Sequence, residues 1–91
     1  MALQSDTRWV IVEKDWISEE IIRVVKQISE DDDYGWRVAR DRVNDHDQQL
    51  LDGRPGWANT YDGSWELLDV TKVGPETLEL LNWLCRFDFS E

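Results

Sequence analysis

Residues 17–29 read Ile-Ser-Glu-Glu-Ile-Ile-Arg-Val-Val-Lys-Gln-Ile-Ser, and the structure assigned to them decides the fold. Taken alone they carry helix punctuation. Ser18 is a good N-cap, because a hydroxyl there can accept a backbone N–H that a helix start leaves open. Glu19 and Glu20 follow in the first turn, where the helix dipole favours negative charge. Ile17 precedes the cap and Ile22 stands at the fourth helical position, the spacing of a hydrophobic staple. Ile21, Val24, Val25 and Ile28 then continue one apolar stripe at helical period. The pattern predicts a helix over residues 19–29.

Upstream, Thr7–Glu13 is rich in β-branched and aromatic residues and reads as a strand, central or well covered, on which that helix packs. Downstream, Glu30, Asp31, Asp32 and Asp33 form a run of four carboxylates. A helix C-terminus disfavours negative charge, so the run reads as a solvent-facing loop. Residues 36–52 leave strand and helix both open. Trp36 and Val38 alternate with Arg37 and Ala39 as on a strand, while Trp36, Ala39 and Val43 also fit one helix face. Gly35 and the β-branched content favour a strand over Trp36–Arg42. Asp52-Gly53 and Arg54-Pro55-Gly56 are turn signals. Trp57–Tyr61, Asp62-Gly63 and Ser64–Thr71 read as a hairpin about the favoured Asp-Gly dipeptide. Leu67 and Leu68 adjoin, so both faces of that last strand are partly covered. Pro75 suits the first position of a closing helix over residues 75–87. Its apolar face is Leu78, Leu81, Leu84 and Cys85, widened by Leu80, Trp83 and Phe87.

The expected fold is α+β, in one domain: a small, mainly antiparallel sheet of three to four strands. Its two helices, about 19–29 and 75–87, are expected to pack on one face. Ninety-one residues bury a limited core, and six tryptophans (Trp9, Trp16, Trp36, Trp57, Trp65 and Trp83) supply large apolar areas for it. Tryptophan is also enriched at interface hot spots, so some of the six are candidate anchors.

Charge is the strongest functional signal. Twenty Asp and Glu face ten Lys and Arg, a formal net charge of −10. Such a field repels nucleic acid and anionic membranes and attracts basic surfaces. The surplus is even along the chain: residues 1–54 hold 13 acidic and 8 basic groups and residues 55–91 hold 7 and 2, so each part nets −5. Arg37, Arg40 and Arg42 are the one basic cluster, expected to pair with surplus carboxylates. No apolar run approaches the ~20 residues that span a bilayer. The first residues lack the basic and apolar regions of a secretory signal. A lone cysteine, Cys85, excludes an internal disulfide and suits a reducing compartment. A cytoplasmic setting is expected.

Catalytic patterns are missing. His46 lies among Asn44, Asp45 and Asp47 and reads as a surface residue. Cys85 lies on an apolar helix face and reads as a small hydrophobe. One Cys and one His cannot make an ordinary structural zinc site. A calcium loop begun at Asp45 would need glycine at its sixth position and glutamate at its twelfth, where Leu50 and Gly56 stand. The glycines, at 35, 53, 56, 63 and 74, form no phosphate-binding loop. No enzyme activity, cofactor or metal is expected.

The expected function is therefore a protein-binding module that docks on a basic surface of a target. In composition it parallels phage- or plasmid-encoded inhibitors that occupy a nuclease's nucleic-acid channel, nucleic-acid mimics among them. The candidate acidic patch is Glu30, Asp31, Asp32, Asp33, Asp45, Asp47, Asp62, Glu66 and Asp69. The candidate aromatic anchors are Tyr34, Trp57 and Trp83. The expected partner is a basic protein, a nuclease or other nucleic-acid-binding protein, and not nucleic acid or membrane directly. The alternatives are a structural or regulatory subunit of a homodimer or larger complex, and a carboxylate- or metal-dependent enzyme.

Overall fold

The computed structural model describes residues 3–15, 17–51 and 63–86. The elements in chain order are β1 (Thr7–Asp15), β2 (Ile21–Ser29), α1 (Asp33–Leu51), β3 (Gly63–Asp69) and α2 (Pro75–Cys85). The fold is α+β, with a three-stranded antiparallel sheet in the order β2-β1-β3.

The sheet is built outward from β1. Its consecutive Val10, Ile11, Val12 and Glu13 are all buried. Successive side chains on a strand point to opposite faces, so four in a row can be buried only if both faces are covered. That is what the helices do. Val10 and Val12 pack with Val24 of β2 and with Leu81 and Cys85 of α2. Ile11 packs with Ile28 of β2 and with Ala39 and Val43 of α1. The helices thus lie on opposite faces, not on one face as the sequence suggested. The two layers differ in kind. The α2 side is aliphatic, whereas Trp9, Trp36 and Trp65 all pack on the α1 side. Trp9 and Trp36 meet at 6.0 Å between ring centroids.

Residues 21–29, expected as a helix, form the edge strand β2. The helical spacing of their apolar residues is real, but register shifts give it another meaning. Val12 pairs with Val24 while Ile11 pairs with Lys26, which leaves Val25 extra. Glu13 pairs with Arg23 while Lys14 pairs with Ile21, which leaves Ile22 extra. Each extra residue inverts the alternation beyond it. Ile21 and Val24, three apart, consequently both pack on the α2 side, and Val25 and Ile28 on the α1 side. As a helix the segment could bury one stripe. As a strand it covers both faces and satisfies the backbone edge of β1.

The helix-start residues serve a turn instead. The Asp15 carboxylate accepts the backbone N–H groups of Ile17 and Ser18, and the Ser18 hydroxyl accepts that of Glu20. Small polar side chains offer this service to turns as readily as to helix starts. Glu19 takes the left-handed conformation, φ 63°, and the staple residue Ile17 is 76% exposed.

The strand expected over Trp36–Arg42 is instead part of α1, and the alternative periodicity is the one obeyed: Trp36, Ala39 and Val43 face the sheet. Topology explains the choice. β2 and β3 are both antiparallel to β1, hence parallel to each other, and parallel strands need a long crossover, usually helical. The acidic run therefore stands before a helix start, where its charge is favoured, not after a helix end. α2 begins at Pro75 as expected and ends at Cys85. β3 covers the Ser64–Thr71 arm of the expected hairpin as far as Asp69 and begins one residue earlier, at the expected turn residue Gly63; the Trp57–Tyr61 arm lies outside the described residues.

Leu81 is fully buried under the sheet, whereas its neighbour Leu80 faces outward. Leu81→Ala is expected to cost about 2–5 kcal/mol in urea unfolding, and Leu80→Ala less than about 1 kcal/mol. Equal costs would contradict the packing of α2.

Candidate functional site

The described acidic residues of the expected patch fall into three groups. The first gathers at the start of α1. Asp32 caps the helix: its Oδ1 accepts the Gly35 backbone N–H at 2.8 Å and its carbonyl accepts that of Trp36 at 3.0 Å. Asp33 opens the first turn, and the Asp31 carboxylate accepts the Ser29 hydroxyl at 3.0 Å. All three aspartates are exposed. Tyr34 follows them with 79% of its surface in water. The capping carboxylate also explains Gly35, since a Cβ there would collide with the Asp32 carboxylate.

The second group is ion-paired. Arg8, on β1, donates to Asp69 through Nε at 3.2 Å and Nη2 at 3.1 Å, and its Nη1 lies 3.8 Å from Glu30. One guanidinium thus joins the ends of all three strands while lying over Trp9, 5.0 Å from the ring centroid. Its hydrogen bonds, with those from Thr71, hold the Asp69 carboxyl far below the usual carboxylate range. Lys14 pairs with Glu66 at 2.8 Å, which raises the lysine pKa. Glu66 and Asp69, on β3, and Glu30, just past β2, are three members of the expected patch and are therefore paired with cations of β1. The third group is Asp45 on α1. The Asp47 side chain and Asp62 lie outside the described residues.

The anchors are likewise separated. Tyr34 stands at the start of α1. Trp83 is 52% exposed on the outer side of α2, beside Leu80. Trp57 lies outside the described residues. An open groove of about 280 Å³ along α2 is lined by Glu79, Asn82, Trp83 and Arg86. Another of about 400 Å³ along α1 is lined by Val38, Asp41, Arg42 and Asp45. Of the arginines expected to be neutralised, Arg40 pairs with Asp41 at 3.6 Å and stacks on Trp36, its guanidinium 5.0 Å from the ring centroid. Arg37 and Arg42 are exposed and make no ion pair among the described residues.

Two features escaped the sequence reading. One is Arg8, whose partners come from residues 22 and 61 positions away and carry no local signal. The other is Glu13, 4% exposed and held by the Arg23 guanidinium. Its place within an apolar strand was the available clue. Among the described residues no group of three or more His, Cys, Asp or Glu could hold a metal ion, and no helix is long and apolar enough to cross a membrane.

Two outcomes follow from this geometry. Asp32→Ala should cost about 1 kcal/mol through loss of the cap. Gly35→Ala, which collides with the capping carboxylate in the native chain, should gain roughly 0.5–1 kcal/mol in the Asp32→Ala background, where only helix propensity remains. A double-mutant cycle by urea unfolding measures that change of effect. Asp69 has a lowered folded pKa, so its contribution is present above the unfolded carboxylate pKa of about 4 and lost as pH falls toward the folded value. Asp69→Asn should therefore destabilise the protein at neutral pH and converge on the native chain in strong acid, read from melting curves across pH.

No protein-family model, curated protein or solved structure matches this chain.

Proposed function

We propose that this protein is a protein-binding module that docks on a basic surface of a target through the start of α1. The observation that carries this reading is Tyr34, exposed on a capped helix and preceded by Asp31, Asp32 and Asp33. A tyrosine offers a rigid apolar ring with a polar tip and can take a Lys or Arg on its face. Carboxylates around it steer a cationic surface in and then pair with it. The net charge of −10 extends that attraction over the whole molecule. In the inhibitor version the target surface is the nucleic-acid-binding face of a nuclease or similar protein, where Lys and Arg are gathered for phosphate.

A second reading has its own observation. Leu80 and Trp83 stand exposed together on α2, as on a subunit interface. A contact made there would be apolar and tolerant of salt.

The two are separated by affinity capture from extracts of the source cell at low and high salt. The Asp31→Asn/Asp33→Asn/Tyr34→Ala and Leu80→Ser/Trp83→Ser variants serve as comparators. Docking through α1 requires a basic target, released by salt and lost with the first variant alone. Capture that resists salt and fails only with the second variant would replace it with the subunit reading.

A further inference from the structure

Glu13 is the one buried charged residue among those described, and it sits where an apolar residue would serve the core. Desolvating an ion pair costs about as much as the pairing returns, so a well-packed apolar pair is often equally stable. Burial of this kind is best attested where it selects one arrangement among several.

The β1–β2 ladder has such a choice. From Trp9↔Ile28 through Val10↔Gln27 to Ile11↔Lys26 the pairing is regular. Continued without interruption it would set Val12 opposite Val25, Glu13 opposite Val24 and Lys14 opposite Arg23. The observed ladder instead skips Val25, sets Val12 opposite Val24 and Glu13 opposite Arg23, then skips Ile22. Arg23 lies between these two skipped residues; a third shift, between Thr7 and Trp9, falls outside this stretch. Apolar content alone discriminates poorly here, because Ile21, Ile22, Val24 and Val25 offer two adjacent apolar pairs. Charge discriminates strongly. The uninterrupted register would set Glu13 directly opposite a valine, with Lys26 only diagonal to it, and bring Lys14 against Arg23. In the observed one the Glu13 carboxylate receives the Arg23 Nε–H, and the half-exposed guanidinium keeps its other end in water.

We infer that the Glu13–Arg23 pair is the register lock of β1 and β2: it selects the doubly interrupted ladder over its regular competitor, whatever the protein binds. The competitor would turn Val24 away from Val10, Val12 and Leu81, so the lock also decides which side chains reach the α2 layer.

The test replaces both partners, Glu13→Leu with Arg23→Leu, and reads the full chain by far-UV circular dichroism, thermal melting and amide NMR. The double variant should fold and melt at or above the native temperature, yet show more than one set of amide signals for residues 11–15 and 21–26. The added set should carry cross-strand contacts of the Val12–Val25 register. Glu13→Gln alone, which keeps a hydrogen-bonding group opposite Arg23, should retain the native contacts with a lower melting temperature. A double variant with a single set of native contacts overturns the inference. So does one that fails to fold, since the pair would then be a source of stability and not of choice.

Discussion

A strand buried on both faces is the constraint on which this small structure rests. Val10, Ile11 and Val12 leave β1 no solvent side, and at nearly zero exposure each needs cover above and below. A second strand on either edge is required for its backbone groups, and an element on either face for its side chains. Two strands and two helices meet that need. The consequences reach each element: β2 cannot be a helix because an edge of β1 would stand open, and α1 must cross from β2 to β3.

Charge is fitted around this frame. Four carboxylates on or beside the sheet are answered by cations: Glu13 by Arg23, Glu66 by Lys14, and Asp69 with Glu30 by Arg8; Asp15, at the end of β1, instead accepts backbone N–H groups of the turn. Arg8 closes one end of the sheet through a two-point contact with Asp69, the stronger geometry for a guanidinium and a carboxylate. Surplus negative charge is found in water at the start of α1, where the helix dipole and the capping role of Asp32 favour it. Asp31, Asp32 and Asp33 thus stand together in water at a capped helix start beside an exposed tyrosine, while Asp6, Glu19, Glu20, Glu76 and Glu79 are exposed elsewhere on the molecule.

The tertiary arrangement also divides the aromatic residues. Trp9, Trp36 and Trp65 fill the layer beneath α1, while Tyr34 and Trp83 face out from different elements. A high tryptophan count therefore covers two distinct roles here, and the nearest neighbours on the sheet decide which residue takes which.

By itself the sequence determined the α+β class, the central strand, the closing helix from Pro75 and the acidic character. Each is written in local pattern: a β-branched run, a proline at a helix start, a count of charges. Adjacent apolar residues in β1 and at Leu67-Leu68 also signalled cover on both faces, a hint that the expectation of helices on one face overlooked. Only the tertiary structure decided β2, α1 and the pairing of the acids. Ser18, the Ile17–Ile22 spacing and the stripe from Ile21 to Ile28 satisfy helix rules locally. They lose because a strand in that place completes β1 and buries side chains on two faces, and interruptions at Ile22 and Val25 let a helical spacing serve a strand. Partners separated by tens of residues, such as Arg8 and Asp69, have no signature in a local window, since their meeting is a property of the ladder that brings the strands together.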